Sequence, residues 1–313
     1  MQGLELSESF YRASVDELFD GMADVRARHA AGLAGEGSEC FGFDDEISHD
    51  HDWGPGFCIW LGEDDFAQAA SELQERYVRI ASRGFKGFPA RIDSTPATAP
   101  RRTGILSIKG FYAQLLGARF LPATLDEWRA IPESSLAAAV NGCVFEDELG
   151  RFSEIRTQLT SYYPEDIRLR IIASECMHAA QAGQYNFIRQ SERSELVAAF
   201  QALSEFCDAA IHIAYALARR YRPFYKWAHR GLRDLGAFGI CMADRLDALL
   251  TSYRSEEPNA VAMLVESICT DIADELSAHG LSESDDTFLV SHGIAVNAHI
   301  ADDAYRRSDL MRI

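Results

Sequence analysis

The chain has 313 residues, of which 47% are hydrophobic, and it carries a formal net charge of −18. This length predicts about two domains with packed cores. Nucleic-acid affinity depends largely on lysine and arginine, so the strong negative charge disfavours a nucleic-acid substrate. The sequence has no run of roughly 18 apolar residues, and residues 1–30 lack the layout of a signal peptide. We therefore expect a cytoplasmic protein without a membrane span.

The first half of the chain alternates between helical and extended patterns. An apolar stripe at helical spacing predicts a helix within residues 8–30, and the glycine-rich stretch after it predicts a strand and a turn. In chain order, further strands are predicted at 57–61, 88–93, 104–108 and 144–145, and further helices at 64–84 and 111–116.

From about residue 164 the pattern is helical throughout. Apolar periodicity predicts helices near 165–190, 194–221, 223–234, 237–254, 257–279 and 283–306, with glycines and prolines between them. The sequence therefore predicts an α+β fold. A small mixed-sheet domain is expected at residues 1–150, followed by an all-α helical bundle domain at 151–313.

The motif with the clearest chemistry is Gly37-Ser38, followed after eleven residues by Asp50-His51-Asp52 and an apolar run. Side chains two apart in a strand share a face, so Asp50 and Asp52 at the start of a strand would form a carboxylate pair. Such a pair can hold magnesium, which takes further ligands from phosphates. Gly37 leaves room for a phosphate near the backbone, and the Ser38 hydroxyl can donate to it.

This spacing resembles the signature of the polymerase-β-like nucleotidyltransferase superfamily. The segments that carry the resemblance are GEGSECFGFDDEISHDHDWGPGFCIWLG, GCVFEDELG, YYPEDIRLRIIAS and RYRPFYKWAHRGLRDL. They look like a bacterial branch with a helical C-terminal half, similar in domain order to the kanamycin nucleotidyltransferases. The resemblance implies a magnesium-dependent enzyme that transfers a nucleoside monophosphate, with ATP as the expected donor, to a hydroxyl of a small molecule and releases pyrophosphate.

The resemblance also implies a third carboxylate and a general base. The family places a third acid on a neighbouring strand, where we predict Asp93 as a metal ligand and catalytic residue, with Asp147 as the alternative. A helical-domain acid acts as the base in kanamycin-modifying relatives. Glu175, which shares a helix face with His178, is therefore the candidate base here.

A second cluster gathers basic residues in an otherwise acidic chain. We predict that Lys226 contacts the β- and γ-phosphates and that Arg222 and Tyr225 also bind the nucleotide. The alternative is a solvated helix whose cations pair with nearby acids. The six cations that form the cluster are Arg219, Arg220, Arg222, Lys226, Arg230 and Arg233.

Two other functions remain open from the sequence. The chain could adenylylate a protein partner, as antitoxin-type nucleotidyltransferases do, or it could be a non-catalytic nucleotide-binding or scaffold protein on the same fold. The acidic surface suits a cationic small molecule, such as an aminoglycoside-like antibiotic. The sequence does not fix the acceptor, the preferred nucleotide or the oligomeric state.

Overall fold

A computed structural model describes residues 2–50, 53–92, 101–117, 121–255 and 258–311, without the side chains of His49 and Asp50. The chain divides into two compact units, Met1–Ser161 and Tyr162–Ile313. All described strands belong to the first unit, and the described part of the second is helical. The predicted α+β class is confirmed at this level, as a small mixed sheet with helices and a mostly helical remainder. The assignment of residues 1–150 and 151–313 as functional domains stays a prediction.

The first unit contains four strands and seven α-helices within its described residues. Short 3₁₀ turns at Glu39–Phe41 and Ile47–Asp50 lie between its first two strands. The strands are β1 (Ala30–Leu33), β2 (Cys58–Leu61), β3 (Gly104–Ser107) and β4 (Cys143–Asp147). The helices are α1 (Gly3–Leu18), α2 (Ala23–Arg26), α3 (Glu63–Ala81), α4 (Ile108–Leu116), α5 (Leu125–Arg129), α6 (Glu133–Val140) and α7 (Arg151–Thr160).

The four strands form one mixed sheet in the order β3-β2-β1-β4. β1 is antiparallel to both of its neighbours, with Ala31 opposite Ile59 of β2 and Glu146 of β4. β2 and β3 are parallel, and Ile59 lies opposite Ile105. β1 therefore lies inside the sheet and has its backbone paired on both edges.

Helices cover both faces of β2, which explains its uninterrupted apolar sequence. Ile59 and Leu61 join the core formed with α1 and α3. Trp60 points to the other face, where its ring stacks on Phe152 of α7 at a centroid distance of 3.8 Å. All four residues of β2 are buried.

The structure corrects several predicted elements of the first unit. The opening helix ends at Leu18, where Arg76 donates to the carbonyl oxygens of Leu18 and Asp20 at 3.1 and 2.7 Å. The strand predicted at 88–93 is wrong over its described residues, because β3 occupies the free edge of β2 and the Arg91 N–H bonds instead to the Pro55 carbonyl at 2.9 Å. The short helices α5, α6 and α7 were not predicted.

The second unit consists of helices throughout its described residues. A π-helical segment, Ala180–Phe187, follows its first helix directly. The α-helices are α8 (Glu165–Ala179), α9 (Ile188–Glu192), α10 (Leu196–Leu217), α11 (Tyr225–Gly231), α12 (Gly236–Arg254), α13 (Pro258–Ala278), α14 (Leu289–Ala298) and α15 (Asp303–Arg306).

α8 is the central helix of this unit and packs against both α10 and α14. Its residues from Ile167 to Cys176 are all buried, including the charged ones. A helix covered on all sides needs no polar stripe, which is why this segment shows little amphipathic pattern.

α10 has the length and apolarity of a membrane-spanning helix, with a mean hydropathy of 1.3 over its most apolar 18 residues. It also packs against α8, the π-helical segment and α12. A buried core helix of this length has the same composition, and 44% of that window is buried inside the unit.

Arg170 of α8 forms hydrogen bonds to the C-terminal segment, residues 305–309. Its side chain is fully buried and donates to the carbonyl oxygens of Tyr305, Asp309 (3.2 Å) and Ser308 (3.5 Å). The guanidinium also lies 4.8 Å from the centroid of the Tyr305 ring. One buried cation thus binds three carbonyl oxygens in the last turn of α15 and just after it.

Arg170→Ala should lower the free energy of unfolding by about 3 kcal/mol, because it removes a fully buried side chain together with its hydrogen bonds to three carbonyl oxygens. Urea unfolding followed by circular dichroism measures this change. Arg307→Ala is the control, since that side chain is 77% exposed in its ion pair with Asp303. Equal stability of the two variants would contradict the structural role of Arg170.

Candidate functional site

The glycine-rich loop after β1, residues 34–40, places Gly37 and Ser38 directly before a 3₁₀ turn. The Gly37 and Ser38 carbonyl oxygens accept from the N–H groups of Cys40 and Phe41, both at 3.1 Å. Within the described part of the chain, no residue accepts a hydrogen bond from the Gly37 or Ser38 N–H or from the Ser38 hydroxyl. The glycine loop therefore keeps donor groups available, which suits an anion.

A buried ion pair lies beneath this loop. The Glu39 and Arg91 side chains are 6% and 11% exposed and form a direct salt bridge. The Glu39 carboxylate lies so close to the Cα of Gly37 that a Cβ there would overlap it. Gly37 is thus needed for packing against a fixed carboxylate, whatever else the loop binds.

Asn141 and Gly142, which precede β4, hold the glycine loop at both ends. The Asn141 side chain accepts from the Gly35 N–H at 2.9 Å and donates to the Gly35 carbonyl at 2.6 Å. The Gly142 N–H donates to the Cys40 carbonyl at 2.7 Å. Sequence reasoning missed this function of Asn141, although an Asn-Gly pair before an apolar segment is a turn signal.

A cavity of about 350 Å³ opens beside the glycine loop. Arg102 lies 3.6 Å from Glu36 at its rim. The enclosed Nε of Arg101 has no acceptor among the described residues. Three arginines and two glutamates line the cavity, so this wall of the cavity is locally positive although the chain is strongly acidic. The polar lining consists of Gly35, Gly37, Glu36, Glu39, Arg91, Arg101, Arg102 and Gln114; Ser38 does not contribute to it.

The predicted metal ligands fall largely outside the described residues. Asp52 and Asp93 are not described, and only the backbone of Asp50 is. That backbone ends the 3₁₀ turn Ile47–Asp50, whereas β2 begins at Cys58. The expectation that Asp50 starts a strand is therefore wrong, and strand alternation does not decide where its side chain points. Among the described residues, no three His, Cys, Asp or Glu side chains form a metal-binding group.

Asp147, the alternative third carboxylate, has a defined contact in the structure. Its Oδ2 accepts from the Ser153 N–H at 2.8 Å and so binds a free donor in the first turn of α7. It lies on β4, which is separated from β2 by β1. This contact gives Asp147 a structural explanation that needs no metal.

Glu175, the candidate base, is a buried carboxylate of α8 between two histidines. Its Oε1 lies 2.8 Å from Nδ1 of His212, and its Oε2 lies 3.4 Å from Nδ1 of His178. Burial alone would raise the pKa of Glu175, but the histidines lower it to about 2. A carboxylate with so low a pKa is a weak base near neutral pH. Its role as general base stays a prediction, and the observed contacts are structural.

The predicted nucleotide contacts of the second unit lie at and before α11. Arg222 pairs with Asp208 at 2.7 Å. Tyr225 is 75% exposed, and the Nζ of Lys226 lies 5.0 Å from the centroid of the Trp227 ring. Within the basic cluster, Arg219 and Arg233 also pair with acids of neighbouring helices. These pairs agree with the solvated-helix alternative, and nucleotide binding by Lys226 stays a prediction.

Stability should depend on pH through Glu175. Its lowered pKa contributes stability that is fully present above its ordinary value of 4.5 and is lost as the pH falls toward 2. The hydrogen bond that His178 donates to Glu175 raises the pKa of His178, whose contribution is fully present below 6.5 and is lost as the pH rises through the raised value. Glu175→Gln should therefore destabilise the protein most between pH 4.5 and 6.5.

Urea midpoints of wild type and Glu175→Gln, measured from about pH 3 to about pH 9, test this dependence. Glu192→Gln is a control in the same unit, because Glu192 is an exposed acid of α9. A difference between wild type and Glu175→Gln that stays constant with pH would contradict the linkage.

Comparison with known proteins finds one similarity. Residues 128–228 match the model of a family described as a domain of unknown function, DUF4037. The match begins in α5 and ends in α11, so it includes Asn141 and Glu175 but not the glycine loop. No curated protein and no solved structure matches the chain significantly. The chain is thus similar to this family over the matched residues.

Proposed function

We propose that the protein is a magnesium-dependent nucleotidyltransferase that transfers AMP from ATP to a hydroxyl of a small molecule. The observation that carries the proposal is the combination of the glycine loop and the arginine-lined cavity in one compact unit. The N–H groups of Gly37 and Ser38 have no acceptor among the described residues, and together with the nearby guanidinium groups they match the negative charge of a triphosphate.

Within this proposal, Arg101 and Arg102 bind phosphate oxygens in the cavity, and Gly37 donates to them from the loop. Ser38 does not line the cavity, and its contact with phosphate stays a prediction. The enclosed Nε of Arg101, which has no acceptor within the described part of the chain, would find one in a phosphate oxygen. A buried donor without an acceptor is unfavourable, so ligand binding would remove a cost present in the free protein. Glu36 and Glu39 limit the net positive charge of the wall.

The predicted magnesium ligands belong to the same proposal. Asp50 and Asp52 supply carboxylate oxygens, which this hard cation prefers. When bound, the metal would offset the charge that develops on the transferred phosphoryl group. The acceptor oxygen bonds to the α-phosphorus as the bond to the pyrophosphate oxygen breaks, and the acceptor proton is released. Glu175 stays the predicted base for that proton, although its lowered pKa makes it a weak base near neutral pH.

The acceptor is proposed to be a small cationic molecule, with an aminoglycoside-like antibiotic as the candidate. The net charge of −18 supports this choice, since a negative surface attracts cations. The cavity volume of about 350 Å³ is within the range of small-molecule pockets.

Asp50→Asn should reduce magnesium-dependent release of pyrophosphate from ATP by at least about a hundredfold, because it removes a charged metal ligand. Thermal unfolding should stay nearly unchanged. Asp64→Asn, an exposed acid in the first turn of α3, is the control. Retained turnover in Asp50→Asn would remove this residue from the proposed mechanism.

Intact-mass analysis of the same reactions identifies the acceptor class. Addition of one adenylyl group to a small molecule supports the proposal, whereas addition only to a protein partner indicates the antitoxin-type alternative. ATP binding without any transfer would indicate a nucleotide-binding scaffold.

Arg101→Ala should weaken ATP binding about tenfold, since it removes a charge-assisted hydrogen bond to phosphate. Isothermal titration calorimetry with ATP and magnesium measures the dissociation constant. Arg79→Ala removes an exposed arginine of α3 and controls for the change in net charge. If both variants bind ATP equally well, the cavity is not the phosphate site.

A further inference from the structure

The Asn141-Gly142 dipeptide is separated by about a hundred residues from the glycine loop that it holds. The asparagine amide engages both backbone groups of Gly35, and the glycine N–H engages the Cys40 carbonyl. Both ends of the loop are therefore fixed by two adjacent residues. Gly142 has a positive φ of 68°, and a Cβ there would overlap the Leu33 carbonyl, so this contact favours glycine.

Arg156 of α7 binds the two carbonyl oxygens of the dipeptide. Its guanidinium donates to the Asn141 carbonyl at 2.6 Å and to the Gly142 carbonyl at 3.3 Å. No carboxylate of the described residues lies within ion-pair distance of Arg156. The cation is thus used to orient two peptide groups.

We propose that Asn141 is a positioning residue for nucleotide binding, and that it holds the glycine loop in the shape that binds phosphate before the nucleotide arrives. This inference rests on the proposed function, because it assigns the loop to the phosphates of ATP. Asparagine is suited to the role because its short side chain carries both an acceptor and a donor.

A fixed loop improves affinity because binding does not have to order it. Loss of the two contacts to Gly35 frees one end of the loop, so the N–H groups of Gly37 and Ser38 are no longer held in one arrangement. Loss of these contacts should therefore lower the affinity for ATP and the local order of residues 34–40. General destabilisation of the unit would not produce this effect.

Asn141→Ala should weaken ATP binding about tenfold in calorimetry with ATP and magnesium. Asn141→Asp should weaken it as well, because aspartate has no N–H to donate to the Gly35 carbonyl and adds a negative charge beside the loop. Leu73→Ala is the matched control, since it opens a cavity in the core of the same unit without removing a hydrogen bond to the loop. It should lower the unfolding temperature yet leave the ATP affinity unchanged.

Hydrogen exchange without nucleotide provides the second measurement. Peptides that contain residues 34–40 should exchange faster in Asn141→Ala than in Leu73→Ala, even if both variants have the same unfolding temperature. This result, together with the loss of affinity, supports the positioning role.

The outcomes separate this inference from the proposed function. If wild type binds ATP and both Asn141 variants bind it equally well, the positioning role is wrong and the proposed function stands. An affinity loss of the same size in Leu73→Ala would also overturn the positioning role. Failure of wild type itself to bind ATP would overturn both.

Discussion

The pairing of β4 with β1 is the constraint on which the candidate site depends. β1 comes early in the chain and β4 more than a hundred residues later, yet Ala31 lies opposite Glu146 in the sheet. This pairing brings the turn before β4 against the loop after β1. The glycine loop is consequently held by Asn141 and Gly142, and its conformation does not depend on its own sequence alone. A ligand-binding loop on such a rigid support can be ordered before the ligand arrives.

Charge is distributed unevenly in this acidic chain. Around the cavity of the first unit, arginines outnumber acids, and the buried pair of Glu39 and Arg91 anchors the wall. The enclosed Nε of Arg101 has no acceptor among the described residues, whereas buried donors are normally satisfied. The charge around one site can therefore differ in sign from the net charge of the chain, because the local potential depends on which side chains the fold brings together.

The second unit uses several of its charged residues for structure. Arg170 binds backbone carbonyl groups, and Glu175 lies between two histidines on neighbouring turns and helices. Buried groups of this kind fix the arrangement of helices because each would be costly without its partners. The low pKa of Glu175 follows from the same contacts, so the histidines that stabilise the helix pair also weaken this carboxylate as a base.

The sequence by itself determined the α+β class, the apolar strand β2 and the helical second half, because these follow from local periodicity of side chains. It also identified Gly37 and Ser38 as a turn. It did not reveal the ion pair of Arg91 with Glu39 or the hydrogen bonds of Asn141 to Gly35. It also did not reveal that Asp147 accepts from the first turn of α7, and its prediction of a strand at Asp50 was wrong. Only the tertiary structure decided these points, because hydrogen bonds and ion pairs between distant segments leave no periodic pattern in the chain.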